Sequence, residues 1–314
     1  MKDFIRSCEA APRITSMSDF FSQTAAGKRN QPIREPDADQ RLFETQKQCQ
    51  FSKQLLLNSG PFVKHYFSSI PYSLEEECRL GTTIINFAEA YRPPFTVYCL
   101  GMAEGAMART ITQLSNGHVT TLTTSPTASN EASFYSNGTI PGAHFVCTPF
   151  FRLPRHLLEE KHAVFADGFD IIIEDTTFQM YSSDRDLQIG FVSQFLKPGG
   201  LFIFTEKFSC DADEYSARER QKDNSYKRRF FTDSQLDAKR LAVLDTMAGN
   251  EVSLSEMKTA LDKHFGYKVI YWNSGNFYSI VASSSKPNIE RFLSLLGKAC
   301  IPFEYIYCDL PEYL

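Results

Sequence analysis

The chain has 314 residues, 42% hydrophobic and 22% charged, with a net charge of −4. That is the make-up of a soluble globular protein with room for one large domain or two small ones. An acidic balance gives no case for a nucleic-acid surface, and no apolar run reaches membrane-spanning length.

The 8 cysteines and 6 histidines are scattered, with no CxxC pair and no metal-ligand spacing. Free thiols, a reducing cytoplasmic setting and no metal site are expected. The start, MKDFIRSCEAAPRITS, lacks the apolar core of a signal peptide. Residues 1–38 are polar, carry Pro12, Pro32 and Pro36, and read as a flexible arm. Residues 39–92 read as a helical extension or cap. Helical patterning runs through RLFETQKQCQFSKQLL, breaks at Asn58-Ser59-Gly60, resumes in FVKHYFSS and SLEEECRLGTTIINFAEAY, and stops before Pro93-Pro94.

The pattern then changes. Strand-like runs at 95–100, 118–123, 143–147, 169–174 and 200–205 alternate with helix-compatible segments at 104–115, 155–163 and 184–196. This predicts a doubly wound α/β domain over 93–284 with buried parallel strands. A charged stretch at 211–249 reads as a partly helical insertion. A helix at 253–264 follows, and YKVIYW and FYSIVAS then pair antiparallel through Asn273-Ser274-Gly275-Asn276. Residues 285–314 supply a last helix, IERFLSLLGK, and an aromatic tail. Five α/β strands closed by an antiparallel pair, with LKPGG before the fifth, outline a Rossmann-like class I methyltransferase fold.

The candidate chemistry collects at the carboxyl ends of these strands, where open α/β sheets bind ligands. In YCLGMAEGAMA, Gly101 and Gly105 turn a strand into a helix and let backbone approach a ligand, although a tight turn without a ligand gives the same pattern. In FDIIIEDTTFQMY, Glu174 and Asp175 end a strand where adjacent acids could serve a sulfonium, an ammonium or a substrate amine, or where one could merely cap the next helix; the functional role is expected of Asp175. Glu206-Lys207 ends the fifth strand and reads as an ion pair or a ligand contact. The run SYKRRF with Lys239-Arg240 reads as a solvated face or an anion grip.

Taken together, IPYS (70–73), YCLGMAEGA, TSP (124–126), DTTFQM (175–180), LKPGG, TEKFS, YKR, DSQLDAKR (233–240) and YWNSGNFYSIVAS resemble the carboxy-S-adenosylmethionine synthases of tRNA wobble-uridine modification. The match runs from about Pro71 to Ser283. It implies S-adenosylmethionine or its carboxylated form as cofactor, and a homodimer or larger assembly. Tyr72 and Arg240 would grip the cofactor's carboxylate, the arginine from a neighbouring subunit. Gly101, Met102 and Ala103 would surround the methionine part, and Asp175 stands where the family has an asparagine. Cys99, Thr123 and Pro149 stand where the family has acids, the last two at its ribose and adenine contacts. The expected cofactor-binding set is Tyr72, Gly101, Met102, Ala103, Gly105, Thr123, Thr124, Pro149, Phe150, Asp175 and Arg240, with Asp175 and Tyr72 the catalytic candidates.

Three readings follow. One is a divergent S-adenosylmethionine-dependent methyltransferase of unknown acceptor, with Glu104 or Asp175 partly compensating for the missing acids. A second is a non-catalytic binding protein with a degenerate cleft, which Phe150 and Phe151 could plug. The third is a carboxy-S-adenosylmethionine synthase using prephenate. The same cleft could also hold an anionic metabolite on Arg240, Lys239 and Lys207.

Overall fold

The computed structural model describes residues 2–153 and 162–314. The expected helix at 155–163 lies for the most part outside the described residues. Among the described residues nine strands form one sheet: β1 Phe95–Leu100, β2 Val119–Thr124, β3 Ala143–Val146, β4 Phe169–Asp175, β5 Leu196–Ser209, β6 Val252–Ser253, β7 Tyr267–Ser274, β8 Phe277–Ser283 and β9 Glu312–Tyr313. Their order is β3-β2-β1-β4-β5-β8-β7-β9, with β6 pairing beside β5. Strands β1 to β5 run parallel, and β8 closes the sheet antiparallel to β5.

Every residue of β1 and β2 is buried, so FTVYCL and VTTLTT show no polar face to alternate. The helices that cover the sheet explain this. On one face pack Gln46–Asn58, Ser73–Ala88, Ala106–Leu114 and Lys286–Leu296, through Phe51, Leu55, Ile84, Ile111 and Phe292. On the other lie Arg185–Ser193 and Leu254–Asp262, through Ile189, Val192, Met257 and Leu261. The chain leaves β1 for β2 in one direction and reaches β4 in the other. The order therefore reverses at β1, opening a crevice at its carboxyl end.

The N-terminal stretch, expected as an arm, is folded against this body. Helices Lys2–Glu9 and Ser18–Ala25 bury Phe4 and Cys8, then Phe21 and Ala25. In both, the apolar residues stand four apart and share one helical face. Met17 is fully buried with Phe21 and Val243. The prolines fall between the helices, where they interrupt nothing. A short helix missed in the sequence, Ala128–Ser136, follows β2.

Candidate active site

A cavity opens at the carboxyl ends of β1, β2 and β4, with about 710 Å³ of empty space when its solvent-open mouth is included. Gly101, Met102 and Ala103 line it, with Ala106 and Met107 from the first turn of the following helix. That helix starts at Gly105, has no side-chain cap, and so leaves its first N–H groups without a side-chain acceptor. The glycines do more for packing than for ligand approach. A Cβ on Gly101 would fall 2.2 Å from Thr177 Oγ1, and one on Gly105 2.7 Å from Thr123 Oγ1; both have φ near +68°. Ala103 (φ 42°) and Thr176 (φ 51°) hold left-handed backbone on the cavity wall without that freedom.

The adjacent acids at the end of β4 divide their roles because successive strand residues face opposite sides. Glu174 is fully buried and caps the next turn, its Oε1 accepting from Thr177 N at 2.5 Å and Phe178 N at 2.9 Å. Asp175 faces the cavity, where the Tyr66 hydroxyl donates to its two oxygens at 2.8 and 2.7 Å. Burial raises the Asp175 carboxyl to about 7, against the pull of the Tyr66 and Thr176 hydrogen bonds. Glu77, also on the wall, is pushed well above the usual carboxylate range by burial and by Asp175. Burial and Asp175 together keep the Tyr66 phenol protonated.

At the end of β2 there is no acid. Thr124 lines the cavity and shares a 2.8 Å hydrogen bond with the Tyr98 hydroxyl. Asn130, 3% exposed, donates from Nδ2 to Ser125 Oγ at 2.8 Å, and its Oδ1 has no partner. A buried amide oxygen left unpaired on a cavity wall is a position where a ligand hydroxyl can donate. Arg13 closes the same end. It donates to Thr127 Oγ1 at 2.8 Å and lies 4.0 Å from the Phe21 ring centroid.

The expected residues are not all brought together. Thr123 and Cys99 are buried and, like Gly105 and Pro149, do not line the cavity, whereas Phe150 does. Tyr72 lies off the cavity, its ring 5.6 Å from that of Tyr226 and 5.2 Å from that of Tyr305; Tyr66 holds the place by Asp175 instead. Arg240 is 54% exposed, with Asp223 at 3.6 Å and Asp237 at 3.7 Å, and does not line the cavity of its own chain. Glu104 is also absent from the wall: its carboxylate accepts from Phe62 N at 2.5 Å and Val63 N at 3.0 Å, capping helix Pro61–Phe67. Glu206 and Lys207 do not pair with each other. Glu206 meets Arg185 at 2.7 Å, while Lys207 meets Glu219 and Glu251, each at 3.1 Å.

A second cavity, of about 730 Å³, shares Phe21, Phe62, Tyr66, Thr176 and Met180 with the first. Among the described residues, no group of three His, Cys, Asp or Glu could hold a metal ion, and no helix is long and apolar enough to cross a membrane.

No family model and no curated protein matches the chain. The sheet order and closing antiparallel pair are those of Rossmann-like class I methyltransferases, and similar solved structures include such enzymes. The plantazolicin methyltransferase BpumL in complex with SAH is 10% identical, with 86% of this chain and 98% of that chain covered and a TM-score of 0.49. The same enzyme with a pentazolic desmethylPZN analog and SAH is 13% identical over 92% and 95%, with a TM-score of 0.48. Haemonchus contortus phosphoethanolamine N-methyltransferase 2 in complex with S-adenosyl-L-methionine is 13% identical over 60% and 36%, with a TM-score of 0.38. The similarity is one of chain trace.

Proposed function

We propose that the protein is an S-adenosylmethionine-dependent methyltransferase whose cofactor occupies the cavity at the carboxyl edge of the sheet. The observation that carries this reading is an open cavity in which an unpaired buried acceptor, Asn130 Oδ1, stands at one end and two carboxyl groups, Asp175 and Glu77, at the other. S-adenosylmethionine has matching parts: a sulfonium and an ammonium, a ribose diol and a free carboxylate. When bound it supplies a methyl group already activated for in-line displacement.

Asn130 would accept from the ribose diol, and the uncapped N–H groups of Ala106 and Met107 would meet the methionine carboxylate. Asp175 and Glu77 would face the cationic part. Tyr66 holds Asp175 in a fixed orientation, and a carboxyl group near 7 is suited to take a proton from the acceptor at neutral pH. An amide oxygen cannot bridge two hydroxyls as a carboxylate does, so binding weaker by about ten-fold than in a pocket with that acid is expected.

The carboxylated cofactor has less support. Its additional carboxylate would face Asp175, and on this chain neither Tyr72 nor Arg240 lies on the cavity to offset it; the resemblance would bring Arg240 from a neighbouring copy.

Calorimetric titration with S-adenosylmethionine and its demethylated product tests the proposal. Both should bind, and Asn130→Ala should weaken both by about 5- to 10-fold, the loss of one hydrogen bond. No heat at millimolar ligand would leave a scaffold without the activity.

A further inference from the structure

The second cavity has its own chemistry. Four lysines line it: Lys207, Lys222, Lys227 and Lys239. Three already meet carboxylates. Lys207 is shared between Glu219 and Glu251, Lys222 lies 2.6 Å from Glu219, and Lys227 lies 2.7 Å from Asp223. Lys239 differs. Its Nζ donates to Ser69 Oγ at 2.7 Å, and among the described residues no carboxylate lies within ion-pair distance. Burial, with Lys227 and Lys222 nearby, pushes Lys239 well below the ordinary lysine value, so its amine holds a proton stably only when an anion comes in beside it. Phe20, Phe62, Ile70, Val243 and Met247 give the chamber apolar wall, with Thr176, Gln179 and Glu251 as polar lining.

His65 supplies a second, independent feature. It is 3% exposed, and its Nδ1 lies 2.5 Å from the Asn30 carbonyl oxygen. A carbonyl accepts only, so Nδ1 carries the proton and Nε2 presents a lone pair. That Nε2 has no partner, and His65 is on the cavity wall. The chamber therefore holds a lysine amine with no carboxylate beside it and an unmatched hydrogen-bond acceptor, and a ligand with a carboxylate and a donor would satisfy both.

We infer that this cavity is the acceptor subsite and that it takes a small organic monoanion: an apolar ring or chain whose single carboxylate sits on Lys239 and whose hydroxyl or N–H donates to His65 Nε2. Its role as acceptor subsite rests on the methyl-donor reading; its preference for an anion does not. Tyr66 lines both cavities and hydrogen-bonds Asp175, so a molecule held here lies next to the donor end of the first cavity. In a methyl transfer, the acceptor's lone pair would form the new bond to carbon as the carbon–sulfur bond breaks. The electron pair stays on sulfur, and the proton of the reacting group, a different group from the one bonded to His65 and lying toward the first cavity, passes to Asp175.

The test uses the full chain and three probes: 4-hydroxybenzoate, its neutral isostere 4-hydroxybenzamide, and benzoate, which lacks the hydroxyl. Titrations are monitored by protein-observed NMR, with binding of S-adenosylhomocysteine measured on the same samples. The acid should bind more tightly than the amide. Lys239→Met should weaken the acid by about 10- to 100-fold, the loss of one charge-assisted contact. It should leave the amide and S-adenosylhomocysteine unchanged, and Lys239→Arg should restore most of the loss. His65→Gln should weaken 4-hydroxybenzoate more than benzoate. Equal affinity for acid and amide, no binding of either at millimolar concentration, or indifference to Lys239→Met would overturn the inference. If the acid binds but S-adenosylhomocysteine does not, the methyl-donor reading falls and the anion site stands; the reverse result removes only the anion site.

Discussion

Asp175 ties two opposite pH dependences to one side chain. Its folded value near 7 is raised above the ordinary 3.8, so the fold favours its protonated form. Its contribution to stability is complete below about pH 4 and is lost as pH rises through about 7. Binding of a sulfonium runs the other way, since only the carboxylate attracts it, and affinity should rise over the same interval. Asp175→Asn should flatten both profiles. Relative to wild type, the variant should be more stable at pH 8 than at pH 5. Because Glu75 and Glu104 are also raised to about 7, the comparison is the difference between variant and wild-type denaturation curves across pH. A difference independent of pH would show that Asp175 does not titrate there. The cavity-facing position of Asp175 was legible from a strand ending in two acids, whereas those of Tyr66 and Asn130 were not. Tyr66 lies 109 residues from Asp175 in the chain. Asn130 sits on a helix whose buried side chains are only Asn130 and Phe134, too few to show a period.

At the scale of elements, helix Ser18–Ala25 and the turn before it matter most for the site, since Phe21 and Arg13 form part of its wall. Phe21 stacks on Phe62 with ring centroids 5.4 Å apart and carries the Arg13 guanidinium on its face. Phe21→Ala should cost about 2–4 kcal/mol in denaturant unfolding, from lost burial and the cation–π contact. A loose arm predicts a change within about 0.5 kcal/mol, and such a result would detach this segment from the site. Polar composition concealed the two N-terminal helices. An eight-residue amphipathic helix offers only two or three apolar positions, and the three prolines around it suggested an unfolded stretch. The α/β alternation was far easier to read, because strands covered on both faces must be apolar or threonine-rich throughout.

For the whole molecule, the family resemblance implies an assembly of two or more copies. Arg240 lies 54% exposed beside Leu241, which is 77% exposed. A single exposed leucine is ordinary on a protein surface, so the expectation of a second copy rests on the resemblance, and this face is the one it would bring to the interface. Sedimentation velocity should give a dimer at micromolar concentration, and Leu241→Glu should shift it toward monomer; a monomeric wild type would reject this.

By itself the sequence determined the layered α/β fold, the strand pairing at its end, and the sheet edge at which the cavity opens. All three follow from periodicity and glycine placement, which act within a few residues. Only the tertiary structure decided which side chains share a cavity. It put Tyr66 rather than Tyr72 beside Asp175, sent Glu104 to a helix end, and gathered four lysines from β5 and the 211–249 insertion around one chamber. Those outcomes depend on contacts between residues tens to hundreds of positions apart. Local pattern does not encode them, because burial and charge pairing are settled by whichever groups the packed chain brings into range.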